Sequence, residues 1–371
     1  MIQDKVVTNG VSLEVPAHMS VGQTFLDKVR EYAELNIAVG LKDLGVKTGD
    51  VVAVCGDSRS EYIAAAMGAV CCGATATFFN ALFTQETESI QHIVQVDGDP
   101  TASGVLALSS VETESDARCY EAEEVRDGKD TALIFYSSGT TGLPKGAMIS
   151  HINILGGYSV KQCNNFLTIM PWYHVYGLIS SLIILINHKR LINCLMLVPP
   201  VVVFIAKSPL LEKYDTMPNF KKLVEGYGMT ETTFVVLKYI DEIEAKRGLR
   251  AIPGVKLKIV DCETREKLGP NEKGEVCVKG PVIMKGYIGN DAATRDAFDE
   301  EGYLKTGDIG YYNDEEHFFI IDRLKEIIKY KGHQVAPAAV ESIVLQHSAV
   351  ADCGVVGKPD EVAGELPTAF V

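Results

Sequence analysis

The chain has 371 residues, a length that accommodates a large hydrophobic core and, by default, two domains. Hydrophobic residues make up 47% of the sequence and charged residues 23%, which excludes a largely disordered chain. The formal net charge of −14 argues against general affinity for nucleic acid or for an anionic membrane surface.

The cysteines and the two ends of the sequence indicate the compartment. The nine cysteines are scattered without any Cys-x-x-Cys pair, as expected of reduced thiols. The N-terminal segment lacks the basic and apolar regions of a signal peptide, and the final residues TAFV form no peroxisomal or retention signal. We therefore expect an intracellular protein, cytoplasmic or peroxisomal, with no targeting signal in this chain.

The first predicted elements alternate between helix and strand. Residues 41–76 contain a helix, a turn, the apolar strand VVAVCG and an alanine-rich helix, a pattern typical of a parallel sheet flanked by helices. The β-rich run TALIFY (131–136) precedes a glycine-rich segment, the run AMIS and a helix that begins at His151. The apolar stretches 178–186 and 191–206 are interrupted by polar residues and prolines, so we predict buried strands and helix there and no membrane span.

The second half of the chain shows shorter elements. Residues 254–278 predict short strands separated by turns, as in a small β subdomain. HFFIID (317–322) predicts a strand, 337–346 a helix, and 350–356 and 366–371 two strands, the last without a polar tail, as in a truncated domain. We predict the α/β class, with a large N-terminal domain of parallel sheets flanked by helices plus the β subdomain (1–324). A truncated small α+β C-terminal domain (325–371) follows it.

The segment SSGTTGLPKG (137–146) has the composition of a phosphate-binding loop. Glycines allow close backbone approach to an anion, on which backbone N–H groups, hydroxyls and a lysine converge. The predicted ligands are Ser137, Ser138, Gly139, Thr140, Thr141, Gly142 and Lys145. A flexible loop without a ligand is the alternative. Pro144 before the lysine and Gly146 after it exclude a Walker A loop.

Four further strings follow the loop: PWYHVYG (171–177), GYGMTET (226–232), GYLKTGD (302–308) and IIDRLKEIIKYKGHQVAP (320–337). With the loop, and with GPVIMKGYIG, they resemble the adenylate-forming superfamily, nearest to 4-coumarate–CoA ligases and beetle luciferases. The resemblance implies that a carboxylic acid, fatty or aryl, reacts with MgATP to give an acyl-adenylate, from which coenzyme A displaces AMP. A luciferase-type monooxygenase, which shares the first step, is an alternative.

The resemblance also implies roles for individual residues. Glu231 would act in catalysis as a Mg²⁺ ligand, since a hard cation prefers carboxylate oxygen, and Thr230 beside it would contact a phosphate oxygen. Taken alone, Thr230 followed by acids is also an ordinary helix N-cap signal. Tyr227 would lie near the adenine, and Gly228 and Met229 would edge the acyl pocket.

Other candidates carry an alternative of their own. Asp308 fits a ligand of the ribose diol, and its alternative is an ordinary turn aspartate. Arg323 fits a contact with the ribose and a phosphate, and its alternative is a surface salt bridge. His174 would orient the carboxylate of the substrate or gate the acyl channel. The alternative is a core histidine whose hydrogen bonds are satisfied within the protein. Lys325 matches the hinge between the domains, and Lys329 matches the lid lysine that acts in thiolation. The alternative for both is a solvated lysine on the surface.

The sequence departs from the family pattern in its length. An Ala-Pro stretch upstream of GYGMTE has no counterpart, and no lysine follows Lys358, although the family carries a C-terminal lysine that bridges carboxylate and ATP. We therefore expect slow adenylation. A catalytically impaired nucleotide-binding remnant is the alternative that this departure favours.

Overall fold

The structure is a computed structural model that describes part of the chain. The described residues are 2–3, 5–8, 36–56, 58, 60–79, 92–95, 105–111, 122–125, 128–137, 144–158, 166–167, 171–186, 194–196, 222–224, 226–238, 247–324, 326, 328–330, 333–335, 337–347, 349–350, 352–360 and 363–371. The chain divides into two compact units. Unit 1 comprises Met1–Val11, Ile243–Gly280 and Arg295–Val371, and unit 2 comprises Ser12–Glu242 and Pro281–Thr294. The domain boundary after residue 324 stays a prediction.

The helices of the described part are α1 Asn36–Asp43, α2 Ser60–Cys71, α3 Leu108–Val111, α4 His151–Tyr158, α5 Val175–Ile186, α6 Asp291–Ala297 and α7 Pro337–Val344. Helix α4 begins at His151 as predicted. Its start is fixed by a reciprocal cap, in which the Ser150 N–H donates to Asn153 Oδ1 at 2.8 Å and the Asn153 N–H donates to Ser150 Oγ at 3.3 Å. No helix in these ranges combines the length and the hydropathy needed to cross a membrane.

The strands are short and are distributed over several sheets. Their bounds are β1 Ile2–Gln3, β2 Val6–Thr8, β3 Val51–Cys55, β4 Thr75–Phe79, β5 Ile93–Gln95, β6 Val105–Ala107, β7 Thr131–Ser137, β8 Lys145–Ser150, β9 Phe166–Leu167, β10 Cys194–Met196, β11 Lys222–Val224, β12 Gly226–Gly228, β13 Val235–Lys238, β14 Arg250–Ala251, β15 Lys256–Val260, β16 Gly274–Lys279, β17 Gly286–Tyr287, β18 Leu304–Tyr312, β19 Phe318–Arg323, β20 Ile328–Tyr330, β21 His333–Val335, β22 Gly354–Asp360 and β23 Gly364–Phe370.

The main sheet of unit 2 has five strands in the order β17-β8-β7-β4-β3. β3, β4 and β7 run parallel, with Ala76 of β4 opposite both Val52 and Leu133, so the predicted parallel sheet is confirmed for these strands. β8 runs antiparallel to β7 and places Lys145 opposite Ser137. The connection between them is shorter than the crossover of about a dozen residues that a parallel pair needs, so the chain turns back.

The core of unit 2 forms around β7 and α2. TALIFY is almost continuously apolar because β7 lies inside the sheet, where Leu133 and Phe135 are fully buried. Ala66 and Ala69 of α2 are also fully buried, and the helix packs against α1, β3 and β4. The alternating strand and helix pattern of residues 41–76 therefore produces the predicted layers.

Unit 1 contains an antiparallel sheet of six strands in the order β1-β2-β15-β16-β18-β19. Leu257 and Ile259 of β15 are fully buried, as are Val276 and Val278 of β16. These strands are the small β subdomain predicted from residues 254–278, and the α/β class as a whole is confirmed.

A second sheet of unit 1 has four antiparallel strands in the order β21-β20-β23-β22. Helix α7 begins at Pro337 as predicted. The prediction of a strand at 350–356 is wrong in its bounds, because β22 begins at Gly354 and extends to Asp360. Pairing with β23, in which Asp360 lies opposite Gly364, carries the strand through polar residues that have no strand pattern of their own.

Candidate active site

The ends of the predicted phosphate loop are held by a strand pair. Ser137 ends β7 and Lys145 begins β8, and the Ser137 hydroxyl donates to the Lys145 carbonyl at 3.5 Å. The intervening predicted ligands lie outside the described residues, and their roles stay predictions: Ser138, Gly139, Thr140, Thr141 and Gly142. The two ends of the loop therefore lie side by side at the end of the β7–β8 hairpin.

Glu231 lies in a single 3-10 turn, Thr230–Thr232, between β12 and β13. The Met229 N–H donates to Thr232 Oγ1 at 2.8 Å, and the Thr232 N–H donates back to the Met229 carbonyl at 3.0 Å. Met229 therefore occupies the cap position, and Thr230 is the first residue of the turn rather than its N-cap. The Glu231 side chain is buried.

A tyrosine that the sequence analysis did not single out contacts both the loop lysine and the buried glutamate. The Tyr287 hydroxyl donates to Glu231 Oε1 at 2.9 Å. Lys145 Nζ lies 5.3 Å from the centroid of the Tyr287 ring, within the range of a cation–π interaction. Burial raises the pKa of Tyr287, and the charge of Glu231 raises it further, so the hydroxyl stays protonated and remains a donor. Tyr287 lies in GPVIMKGYIG, a string that carried only the family resemblance.

The backbone around Tyr287 is bonded to the same two elements. The Met284 N–H donates to the Glu231 carbonyl at 2.8 Å, and the Ile288 N–H donates to the Gly146 carbonyl at 2.9 Å. Gly286 has a φ of +150°, and a Cβ there would lie 2.6 Å from Thr294 Cγ2, so only glycine fits. The segment thus connects the turn of Glu231 to the strand that begins at Lys145.

Asp308 and Arg323, the predicted ribose contacts, lie opposite each other on β18 and β19 of unit 1. Arg323 Nε lies 3.6 Å from Asp308 Oδ1, so the salt bridge given as the alternative for Arg323 is formed with the predicted ribose ligand itself. Gly307, with a φ of +73°, donates its N–H to Glu275 Oε1 at 3.0 Å. Asp308 donates its own N–H to Thr306 Oγ1 at 3.1 Å, and the two bonds together fix the backbone that leads into the carboxylate.

His174 precedes α5 and exposes a substantial part of its surface, unlike the core histidine given as the alternative. Partial desolvation by neighbouring protein atoms lowers the pKa of His174. The Tyr176 N–H donates to His174 Nδ1 at 3.4 Å. Tyr176 in turn stacks on Phe234, with ring centroids 5.5 Å apart, and so joins PWYHVYG to the segment that follows Glu231.

The remaining candidates differ in how far the structure describes them. Tyr227 and Gly228 lie on β12, where Tyr227 is opposite Leu237 of β13. Lys329 lies on β20, but its side chain is outside the described residues, as is the whole of Lys325. The roles of all these residues stay predictions.

Glu231 is the carboxylate of this site that could hold Mg²⁺. Within the described ranges no cluster of three or more His, Cys, Asp or Glu residues could hold a metal. Mg²⁺ in nucleotide sites is commonly held by one or two carboxylates together with the phosphates of the substrate, so the buried Glu231 fits this arrangement as a single ligand.

Comparison with known proteins identifies the families whose models match this sequence. The profile of the family described as "AMP-binding enzyme" matches residues 83–192 and 204–288, and that of the "AMP-binding enzyme C-terminal domain" matches 339–371. The chain is 40% identical over 309 residues to luciferin 4-monooxygenase of Nipponoluciola cruciata, which covers 69% of this chain and 56% of that protein. It is 33% identical over 420 residues to 4-coumarate–CoA ligase 3 of Arabidopsis thaliana, with 90% and 75% covered.

A solved structure shows the same fold. The crystal structure of ATP-bound MatB from Rhodopseudomonas palustris is similar with a TM-score of 0.81 and 22% sequence identity, and the match covers 95% of this chain and 88% of that one. At this identity the likeness extends to the fold alone.

Proposed function

Because the chain belongs to the adenylate-forming superfamily of AMP-binding enzymes, we propose that it activates a carboxylic acid with ATP and transfers the acyl group to coenzyme A. The acid is a fatty or aryl acid, and ATP, Mg²⁺ and coenzyme A complete the reaction. The chain spans 56% of the luciferin 4-monooxygenase and 75% of the 4-coumarate–CoA ligase to which it is similar, so the full activity is part of this proposal.

The observation that carries the proposal is that Lys145 and Glu231 both contact the same side chain, that of Tyr287. A site that binds a nucleoside triphosphate needs a cation near the phosphate oxygens and a carboxylate that holds the accompanying divalent metal. Both groups lie in unit 2, one of them at the end of the glycine- and hydroxyl-rich loop. This pairing supports nucleotide binding more directly than the loop composition alone.

In the first half-reaction, an oxygen of the acid attacks the α-phosphorus of ATP, and the bond to pyrophosphate breaks. Bound Mg²⁺ supplies charge neutralisation on the phosphates. Lys145 and Thr230 bind phosphate oxygens, Asp308 accepts hydrogen bonds from the ribose hydroxyls, and Arg323 supports that contact. His174 orients the acid. In the second half-reaction the thiol of coenzyme A attacks the acyl carbon and AMP leaves, with Lys325 and Lys329 acting from the lid.

ATP–pyrophosphate exchange tests this proposal. We expect exchange by the purified chain with Mg²⁺ and a pool of fatty and aryl acids. Lys145→Met and Glu231→Gln should each lower the exchange rate by roughly a hundredfold or more, because each removes a group that stabilises charge on the phosphates. Lys273→Met, which changes an exposed lysine directly before β16, is the matched control and should leave the rate unchanged.

Thermal melts with and without MgATP distinguish the other outcomes. A melting temperature raised by MgATP without exchange would identify the nucleotide-binding remnant instead of a ligase. If the chain showed no pyrophosphate exchange and MgATP did not shift its melting temperature, the proposed function would be contradicted altogether.

Luciferase-type oxidation is the second candidate, favoured by the 40% identity to a luciferin 4-monooxygenase. It shares adenylation and then consumes O₂ instead of coenzyme A. Light emission on addition of luciferin, ATP and O₂ would support it, and acyl-CoA formation from a fatty or aryl acid without light would support the ligase.

A further inference from the structure

Tyr287 contacts two side chains of opposite charge and uses a different part of its own side chain for each. Its ring faces Lys145 Nζ at 5.3 Å, and its hydroxyl donates to Glu231 Oε1 at 2.9 Å. Tyr287 and Glu231 are buried. In the part of the chain that the structure describes, Lys145 forms no ion pair with a carboxylate.

If a lysine and a buried glutamate at such a site paired directly, their opposite charges would attract each other more strongly than they do in water. A direct pair would occupy the charge of both groups. The lysine would then be less available to a phosphate and the carboxylate less available to a metal. Tyr287 contacts the lysine through a neutral ring and the glutamate through a neutral donor, so neither contact neutralises the charge of either group.

We propose that Tyr287 is a positioning residue that restrains Lys145 and orients Glu231 toward the metal of a metal–nucleotide substrate. This inference rests on the proposed function. The hydrogen bond to Oε1 fixes the carboxylate and leaves Oε2 for a metal, as outer hydrogen-bond partners commonly do for metal ligands. The cation–π contact restrains the ammonium group without neutralising its charge.

The surrounding backbone makes Tyr287 a rigid support. Its own N–H donates to Thr294 Oγ1 at 2.9 Å, and the neighbouring Lys285 N–H donates to the Met148 carbonyl at 2.9 Å. The carbonyl of Glu231 is bonded to the same segment through Met284. The distance from the tyrosine oxygen to the glutamate is therefore set by backbone hydrogen bonds and does not depend on a mobile side chain alone.

Isothermal titration calorimetry of ATP binding at a series of Mg²⁺ concentrations tests the inference. Tyr287→Phe keeps the ring and removes the hydroxyl. We expect the Mg²⁺ concentration for half-maximal ATP binding to rise roughly tenfold, the loss typical of a removed outer partner of a metal ligand. At saturating Mg²⁺, the ATP affinity should stay within about twofold of the wild type, because phenylalanine preserves the contact with Lys145.

Tyr287→Leu removes the ring as well and serves as the second variant. It should show the same rise in the Mg²⁺ midpoint and, in addition, a roughly fivefold loss of ATP affinity at saturating Mg²⁺, because the cation–π contact is lost. Tyr303→Phe is the matched control, since Tyr303 is also buried and also packs its ring against a lysine, Lys258, at 4.4 Å. It should leave both quantities unchanged.

The outcomes separate this inference from the function on which it rests. If the wild type binds ATP in a Mg²⁺-dependent manner and Tyr287→Phe has the same Mg²⁺ midpoint, the positioning role is wrong and the proposed function stands. A Tyr287→Phe variant that loses ATP affinity equally at all Mg²⁺ concentrations, with a lowered melting temperature, would show a structural role only. If the wild type binds no ATP at any Mg²⁺ concentration, the proposed function fails and this inference fails with it.

Discussion

Thr233 follows the turn of Glu231 in a backbone conformation that β-branched residues rarely adopt, with φ +60° and ψ −41°. It is fully buried, and its Oγ1 has no hydrogen-bond partner in the described part of the chain. Both features cost free energy, and they occur two residues after the predicted metal ligand. Strain of this kind is concentrated at functional sites, where it holds a neighbouring group in place.

Replacing Thr233 by glycine should therefore stabilise the protein. Relief of the strained φ and of the unpaired hydroxyl outweighs the lost methyl burial and the added freedom of the unfolded chain, and we expect the free energy of unfolding to rise by about 1 kcal/mol. Urea denaturation measures this change. The matched control is Thr232→Gly, which should be destabilising because Thr232 Oγ1 donates to the Phe234 carbonyl at 2.7 Å. Equal destabilisation by both variants would contradict the strain argument.

A second residue-scale feature is the ion pair of Lys258, whose side chain is almost completely buried. Its Nζ lies 2.7 Å from Asp299 Oδ2 and 2.9 Å from Glu301 Oε1. Burial alone would raise the pKa of Asp299, but hydrogen bonds from Lys258 and from the backbone N–H of Tyr303 lower it below the ordinary 3.8. A carboxyl group with a lowered folded pKa stabilises the fold above its unfolded pKa, and this contribution is lost as the pH falls through the folded value.

Asp299→Asn should consequently change the acid limb of the stability profile. At pH 7 we expect it to lower the free energy of unfolding by about 2 kcal/mol, the usual size for hydrogen bonds to a charged group. The deficit relative to the wild type should shrink below pH 3.8, where the wild-type carboxylate becomes protonated. Urea melts between pH 3 and 7 measure it, with the exposed Asp43→Asn as the control. A deficit independent of pH would show that packing, and not charge, is responsible.

Among the elements, β16 and β18 determine where Asp308 lies. Glu275 of β16 is buried, forms an ion pair with Arg265 and accepts the N–H of Gly307 at 3.0 Å. The register between the two strands shifts between Glu275 and Cys277. A bulge of this kind commonly redirects a neighbouring side chain. Glu275 has no contact with the nucleotide in our proposal. It fixes the backbone next to Asp308, the predicted ribose ligand, and so positions that residue indirectly.

Glu275→Ala should weaken nucleotide binding mainly through the ribose. We expect a roughly tenfold loss of ATP affinity, within the range for loss of a group that orients a ligand, and a smaller loss for 2′,3′-dideoxy-ATP, which lacks the hydroxyls that Asp308 would bind. Glu275→Gln should remain close to the wild type because its amide oxygen can still accept from Gly307. Equal losses for the two nucleotides would mean that Glu275 supports the fold without positioning Asp308.

At the scale of the whole molecule, local patterns predicted the elements better than their pairing. The buried run TALIFY and the start of α4 at His151 follow from apolar content and capping residues, and both are confirmed. The antiparallel return of β8 and the bounds of β22 depend on partner strands, so no local pattern contains them. The α/β class and the family could be recognised because the motif strings retain their order.

The site shows the same division. Lys145 and Glu231 could be singled out because each lies in a string of chemically unusual composition. Tyr287 could not, because it lies 56 residues from Glu231 in the chain and its hydrogen bond arises only through tertiary packing. Asp308 was singled out, but the role of Glu275 was not, since a buried glutamate in a strand has no sequence signature before its partner strand is known.

The segment Pro281–Thr294 belongs to unit 2, although the residues on both sides of it, Ile243–Gly280 and Arg295–Val371, belong to unit 1. Part of unit 1 is therefore synthesised before unit 2 is complete. The predicted phosphate loop and Glu231 leave the ribosome before β15 and β16 of unit 1, and the residues that carry Tyr287 follow them. A nascent chain that has reached residue 280 has the charged groups of the site but lacks the hydroxyl that orients one of them. Unit 2 can form the hydrogen bond between Tyr287 and Glu231 only after part of unit 1 has been translated.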